Sequence, residues 1–457
     1  MGGNDFAKYL SSTLALRAQP ILLVILGGLS LEPDSLGQAL QIYLLSTLLV
    51  PFMNFGFSLL ISSFPSKTRD GIHTRIAILK TQICLVVLFS LGIVAAYLSI
   101  HNNLAISIWF ALAVIALAGS GSLLLTFNAY VIGEGKYNSV MFSGFTFLLA
   151  NTIGIYLLGR SYGVFGFILS ILLGNILAMF SLVFAMSVKE IKLHKFKKGE
   201  VIWTVKSASP LMIHNLTSTI QTNFDRVFLS LFIASATFSE YLTSVIWGGS
   251  AGIVLEIVYT FWATRILSKD LTEQDFNIEL SRFRRSFITL TFQLSGLILI
   301  IGYLGLEIFG IVQLEAKIAF TCIVGTALIR IVFFLNLVVA LKNGKSVNVG
   351  KATVLGSCVM VLTSIVFIPI FGFYGGVITT VVSFIVQSYS LSYFNKDMLF
   401  RHNLLLFIPS FLCFVTLGVI LMNLENSFFD YLALLFVGGL TFYIIKNDLI
   451  SGAFKKE

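Results

Sequence analysis

Apolar stretches of about 20 residues, separated by short polar breaks, recur from one end of the chain to the other. A helix crossing the hydrocarbon core of a bilayer needs about that length. Reading on this basis predicts fourteen spans: 8–31, 36–62, 76–99, 104–132, 138–159, 163–187, 207–233, 238–264, 286–310, 316–341, 349–370, 374–395, 403–422 and 428–446. The expected fold is therefore all-α and polytopic. Two six-helix bundles, 1–188 and 207–396, are joined by a basic linker at 189–206. Residues 397–457 add two helices and a tail.

The basic residues test this count independently. With both termini in the cytoplasm, 25 of the 30 Lys and Arg fall at inner positions, including Arg75, Lys136 and the cluster Lys189–Lys206. Only Arg160 and Lys317 fall outside, and Arg17, Arg226 and Arg330 lie within spans. A single missed span would invert every later loop, so this asymmetry supports the assignment with both termini in the cytoplasm. The net charge of +9 thus reflects topology, with membrane lipid as the partner of the lysines and no nucleic acid implied. Charged residues make up only 11% of the chain, less than half the usual share in soluble domains of about 25%.

The halves also echo one another. Tyr162-Gly-Val-Phe-Gly opens the sixth span and Phe371-Gly-Phe-Tyr-Gly the twelfth, so Gly163 and Gly166 align with Gly372 and Gly375. Six spans per half is an even number, so the repeats run parallel, about an axis along the membrane normal.

Charges inside spans mark candidate chemistry, because each costs about 2.5–3.5 kcal/mol to insert at mid-membrane. Five bear that cost: Arg17, Asp225, Arg226, Glu256 and Arg330. Arg17 lies roughly 15 Å from the inner end of its span, with Pro20 one turn on to kink the helix. In the seventh span His214, Ser218, Gln221 and Asp225 fall at i, i+4, i+7 and i+11. Asn215, Thr219, Thr222 and Arg226 repeat that spacing one residue on. The two rows make a polar stripe that predicts a water-filled cavity or an interhelical hydrogen-bond seam. Asp225 and Arg226 point about 100° apart, so each needs a partner elsewhere, and Glu256 and Arg330 are the candidates. Substrate contact is expected at Arg17, Arg226, Arg330, Gln221 and Asn215. Coupling or ion pairing is expected at Asp225, Glu256 and His214. Asn54, Asn128, Asn151, Asn175 and Gln387 read as bonds between helices. The four cysteines lie in apolar runs without metal or disulfide spacing, and no cofactor is expected. There is no Walker A loop, no Gly-x-Ser-x-Gly elbow and no His-Glu-x-x-His motif, so no catalytic residue is assigned.

The segment from Ser209-Pro-Leu-Met-Ile-His-Asn to Asn223-Phe-Asp-Arg-Val-Phe-Leu-Ser resembles the start of the second half in Wzx-type O-antigen flippases, of the multidrug/oligosaccharidyl-lipid/polysaccharide exporter superfamily. The turn at Tyr374-Gly-Gly-Val is similar too, while Glu240-Tyr241 departs from the family's Gly-x-Tyr-like turn. The resemblance implies two bundles, alternating access and ion coupling. Its substrate would be an undecaprenyl-pyrophosphate-linked oligosaccharide moved to the periplasmic leaflet, with other polysaccharide assembly proteins as partners. Three intramembrane arginines against Asp225 and Glu256 suit such an anion. A drug or metabolite exporter of the same fold, which would favour acidic cavity residues, and a lipid-linked peptidoglycan precursor flippase are the alternatives. A membrane glycosyltransferase would need a large outer loop that the span pattern leaves no room for.

Overall fold

A computed structural model of the chain describes residues 19–62, 69–100, 108–186, 198–267, 273–308 and 313–395. Among these there are helices and no strand. In a bilayer every backbone N–H and C=O must be satisfied within the segment, and helices do so. The first half comprises α1 (Gln19–Ser30), α2 (Pro33–Asn54), the short α3 (Phe57–Ser62), α4 (Arg69–Ile100), α5 (Ile108–Gly133), α6 (Tyr137–Gly154) and α7 (Arg160–Ala185). The second comprises α8 (Lys198–Leu229), α9 (Ser235–Leu267), α10 (Glu273–Ile308), α11 (Leu314–Lys342), α12 (Ser346–Phe371) and α13 (Phe373–Asn395). These helices take up the first twelve expected spans. The thirteenth and fourteenth, at 403–422 and 428–446, lie outside the described residues, as do Arg17 and the lysines at 189–197.

Seven helical runs among the described residues are long and apolar enough to cross a membrane. One of them, Tyr137–Ala185, is 49 residues long and so holds two passes. The chain is a multi-pass α-helical membrane protein. Although α8 is 32 residues long, it is not one of the seven, because the polar stripe lowers its hydropathy.

Departures from the expected spans have local causes. The second span breaks at Phe55 and Gly56, whose φ angles are 51° and 78°. Upstream, Pro51 has no backbone N–H and weakens the last turns of α2. A Cβ on Gly56 would lie 2.7 Å from Cβ of Leu211 and 2.8 Å from the backbone nitrogen of Met212, so the break lets α8 press against it. Pro20 is the second described residue of α1, so the kink expected there involves residues outside the described ones.

The fifth and sixth spans join without a loop. The end of α6 widens into a π turn, Ile155–Gly159, and α7 follows directly. The reversal comes at Gly163, with φ 61° and ψ −136°. Gly372 reverses the chain between α12 and α13 in the same way, with φ 52° and ψ −121°. Three residues after each reversal a second glycine meets the preceding helix. A Cβ on Gly166 would overlap the carbonyl oxygen of Leu158, and one on Gly375 that of Phe367. In both cases the struck carbonyl lies eight residues back, so the glycine pairs aligned in the sequence do the same work.

Packing repeats with the same six-helix offset. α5 packs against α4 and α7 as α11 packs against α10 and α13, and α6 lies on α7 as α12 lies on α13. α5 and α11 are thus the central helices of their surroundings. α11 is buried on nearly every side, from Ala316 to Ala340. The chain divides into two compact units, Met1–Ser239 and Glu240–Glu457, with α8 packed on α2, α3 and α4 in the first.

Candidate functional site

Polar seams rigidify both units. In the first, Asn54 Nδ2 of α2 donates to the carbonyl of Ser122 and to Thr126 Oγ1 on α5, at 3.3 and 3.0 Å. Gln82 Nε2 of α4 donates to Ser122 Oγ at 2.7 Å, and Thr126 Oγ1 donates back to Gln82 Oε1. Asn175 Nδ2 of α7 reaches Ser120 Oγ on α5 at 2.9 Å. In the second unit, Asn336 Nδ2 of α11 donates to Ser392 Oγ on α13 at 2.9 Å. Gln387 of α13 contacts Thr353 of α12 at 3.5 Å. Asn336 Oδ1 is left without a hydrogen-bond partner among the described residues, and the bonds between helices are the role expected of Asn54, Asn175 and Gln387.

Two inner positions do more than set topology. Arg75 is fully buried at the start of α4, although its place in the charge pattern predicts only a topology determinant. Its guanidinium donates to the carbonyl of Tyr130 at the C-terminus of α5 and sits 4.5 Å from the Tyr130 ring centroid. Gly133 leaves the room, since a Cβ there would overlap Nη2 of Arg75. Lys136 Nζ donates to the carbonyl of Ala185 at the end of α7, 2.6 Å away, and pairs with Glu134 at 2.8 Å. Cations at helix C-termini satisfy the last carbonyls and the negative end of the dipole.

The stripe on α8 is graded along its length. His214 and Ser218 are exposed, Asn215 is half-buried, and Gln221 and Asp225 are 2% and 1% exposed. The buried end faces into the first unit where α8 lies along α2. Gln41 Nε2 of α2 donates to the carbonyl of Ser230, at 3.3 Å. Arg226 is half-buried and its Nη1 donates to Asn223 Oδ1 at 3.2 Å. Tyr43 of α2 lies within electrostatic reach of Arg226. A cysteine at His214 or Ser218 should therefore react with a small water-soluble thiol reagent, and one at Gln221 far more slowly. The test needs a background without the native cysteines, since Cys84 and Cys358 are themselves exposed. No labelling at His214 and Ser218 would mean that their exposed faces meet lipid, and would sink the aqueous reading of the stripe.

The second unit holds the other pair of intramembrane charges together. Arg330 Nη2 of α11 donates to Glu256 Oε1 of α9 at 3.0 Å. The guanidinium carbon lies 5.3 Å from the Phe334 ring centroid and 5.1 Å from that of Phe384 on α13. Gly252, one turn before Glu256, faces the same group. A Cβ there would come within 2.5 Å of Nη1. Glu256 and Arg330, expected as partners for Arg226 and Asp225, meet each other instead, while Arg226 Nη1 meets Asn223 on its own helix. Gly252, Phe334, Phe384, Gln41 and Tyr43 were not singled out in the sequence. The i, i+4 spacing of Gly252 to Glu256 and of Arg330 to Phe334 was the available signal. Among the described residues no group of three or more His, Cys, Asp and Glu is placed to hold a metal.

No protein-family model and no curated protein sequence matches the chain. Solved structures do. Over 97% of this chain and 98% of that one, it superposes on lipid II flippase MurJ in an inward closed conformation, with a TM-score of 0.61 and 16% identity. An inward-facing multidrug resistance MATE family transporter of the MOP superfamily gives 0.56 at 13% identity, over 87% of this chain and 96% of that one. A Vibrio cholerae MATE transporter gives 0.56 at 13%, over 88% and 97%. The chain has the fold that lipid II flippase MurJ shares with the MATE transporters.

Proposed function

We propose that this chain is a flippase. It carries an undecaprenyl-pyrophosphate-linked oligosaccharide, an O-antigen or similar repeat unit, from the cytoplasmic to the periplasmic leaflet of a bacterial inner membrane. The observation that carries the reading is the extent of the likeness to a lipid flippase, 97% of this chain against 87–89% for the MATE transporters. The chemistry agrees. Arginines within the helices offer the forked donors that suit a pyrophosphate, and polar stripes suit a hydrated sugar. Both termini face the cytoplasm, the halves 1–188 and 207–396 alternate access, and an ion drives the cycle through Asp225, His214 or Glu256. Arg17, Arg226, Arg330, Gln221 and Asn215 hold the substrate. The protein works beside other polysaccharide assembly proteins and performs no covalent chemistry.

One observation favours a second reading. The flippase structure that it resembles is one for lipid II, so a lipid-linked peptidoglycan precursor is the alternative cargo. A deletion strain separates them. Loss of surface polysaccharide, with its lipid-linked oligosaccharide retained on the cytoplasmic leaflet, is the expected result. Retention of lipid II instead supports the second reading. Neither would overturn both.

A further inference from the structure

Arg330 is unusually well fixed and unusually lightly paired. Its guanidinium lies beside two phenyl rings from two helices, 5.3 Å from the Phe334 centroid and 5.1 Å from that of Phe384. Gly252 leaves space for Nη1 that a methyl group would fill. Yet among the described residues one acceptor alone binds it, Glu256 Oε1 at 3.0 Å. An arginine offers five N–H donors in a planar fork, and carboxylates or phosphates usually take two of them in parallel. Here the fork is held in place and singly engaged. The pair is also not sealed. The Arg330 and Glu256 side chains are 19% and 32% exposed.

We infer that Arg330 is an anion site in the second unit whose resting occupant is Glu256, and that a phosphoryl group of the substrate displaces that carboxylate. A phosphoryl group brings several oxygens to the fork and can take two donors where Glu256 takes one. The rings hold the guanidinium plane during the exchange and Gly252 keeps Nη1 free of a side chain. Glu256 then acts as a competitor that keeps the site closed to weaker anions, and Gly252 as a positioning residue. The phosphoryl class rests on the flippase reading above, but the exchange does not require transport.

The test uses the purified full-length chain in lipid nanodiscs, with binding of inorganic pyrophosphate and of undecaprenyl pyrophosphate measured separately. Glu256→Gln removes the competing charge while keeping the side chain's shape. It should bind at least one probe about tenfold tighter than wild type, the effect of one lost charge-assisted hydrogen bond. Tightening toward the lipid-linked probe alone identifies a headgroup site, and equal tightening toward both identifies a site for the bare anion. Arg330→Lys in the Glu256→Gln background should cancel the gain, and Gly252→Ala should reduce it without changing any charge. Should Glu256→Gln fail to fold, Glu256→Asp withdraws the carboxylate by one methylene and should tighten binding in the same direction. Unchanged or weaker binding of both probes by a folded Glu256 variant overturns the inference. Tighter binding without flipping would leave this exchange standing and defeat the transport reading instead.

Discussion

Gly166→Ala and Gly375→Ala should each strongly deplete folded protein. In both cases the new Cβ meets a backbone carbonyl, that of Leu158 or Phe367, and no side chain can swing aside to relieve it. Overpacked cores lose about 1–3 kcal/mol where side chains can adjust, so about 3 kcal/mol or more is expected here. That is a large part of the whole stability of a typical domain, about 5–15 kcal/mol. Gly163→Ala and Gly372→Ala are the graded comparison. Their Cβ atoms would meet open space, but φ of 61° and 52° with ψ of −136° and −121° costs about 1–3 kcal/mol for any other residue. Gly92→Ala, with open space and an ordinary helical φ, should stabilise by about 0.4–1 kcal/mol. Abundance in the membrane and the melting midpoint in detergent read the series. Wild-type values for Gly166→Ala and Gly375→Ala would mean that the helices do not meet as described.

The second large effect is on transport. Arg226→Ala and Arg330→Ala, and Arg17→Ala at the position not described, should abolish complementation of a flippase-deficient strain. Each charged hydrogen bond contributes about 1.5–3 kcal/mol, or roughly tenfold to a hundredfold in affinity for the anion. Arg→Lys should restore only part of the activity, because an ammonium cannot grip a phosphate with two parallel bonds. Abundance decides the interpretation at Arg330. Removing Arg330 from beside Glu256 costs about 3–5 kcal/mol if the pair behaves as a buried one, and the partial exposure of both side chains reduces this. A double variant, Glu256→Gln with Arg330→Met, should recover abundance without recovering transport. Full surface polysaccharide in well-expressed Arg→Ala variants at all three positions would end the anion-site account.

The sequence made the helical elements and the repeat legible, because both are written in local patterns. Apolar runs located the helices that are described, and the glycine pairs 163/166 and 372/375 turned out to share one geometry. Three features were not legible, each for a physical reason. Arg75 read as a topology determinant because charge pattern reports the side of the membrane, not whether the side chain folds back onto a helix end 55 residues away. The second span read as continuous because Pro51 is tolerated in membrane helices. The break at Phe55 and Gly56 answers to α8, a long-range contact. Arg330 read as a candidate partner of Asp225, because local patterns do not carry the register of α9 against α11 that sets it on Glu256. On α8, periodicity placed His214 and Gln221 on one face. It could not say that the face passes from exposed to buried within two turns, since that depends on where α2 lies along it.

Translocation itself is the most direct test of the flippase account. Proteoliposomes containing the purified chain would be loaded with a fluorescent undecaprenyl-pyrophosphate-linked oligosaccharide, and leaflet crossing followed by quenching with a reagent that does not enter the vesicle. The account expects crossing well above that in protein-free vesicles, lost in Arg226→Ala at equal reconstitution. Crossing no faster than in protein-free vesicles, by folded wild-type protein under an imposed ion gradient of either sign, would contradict it.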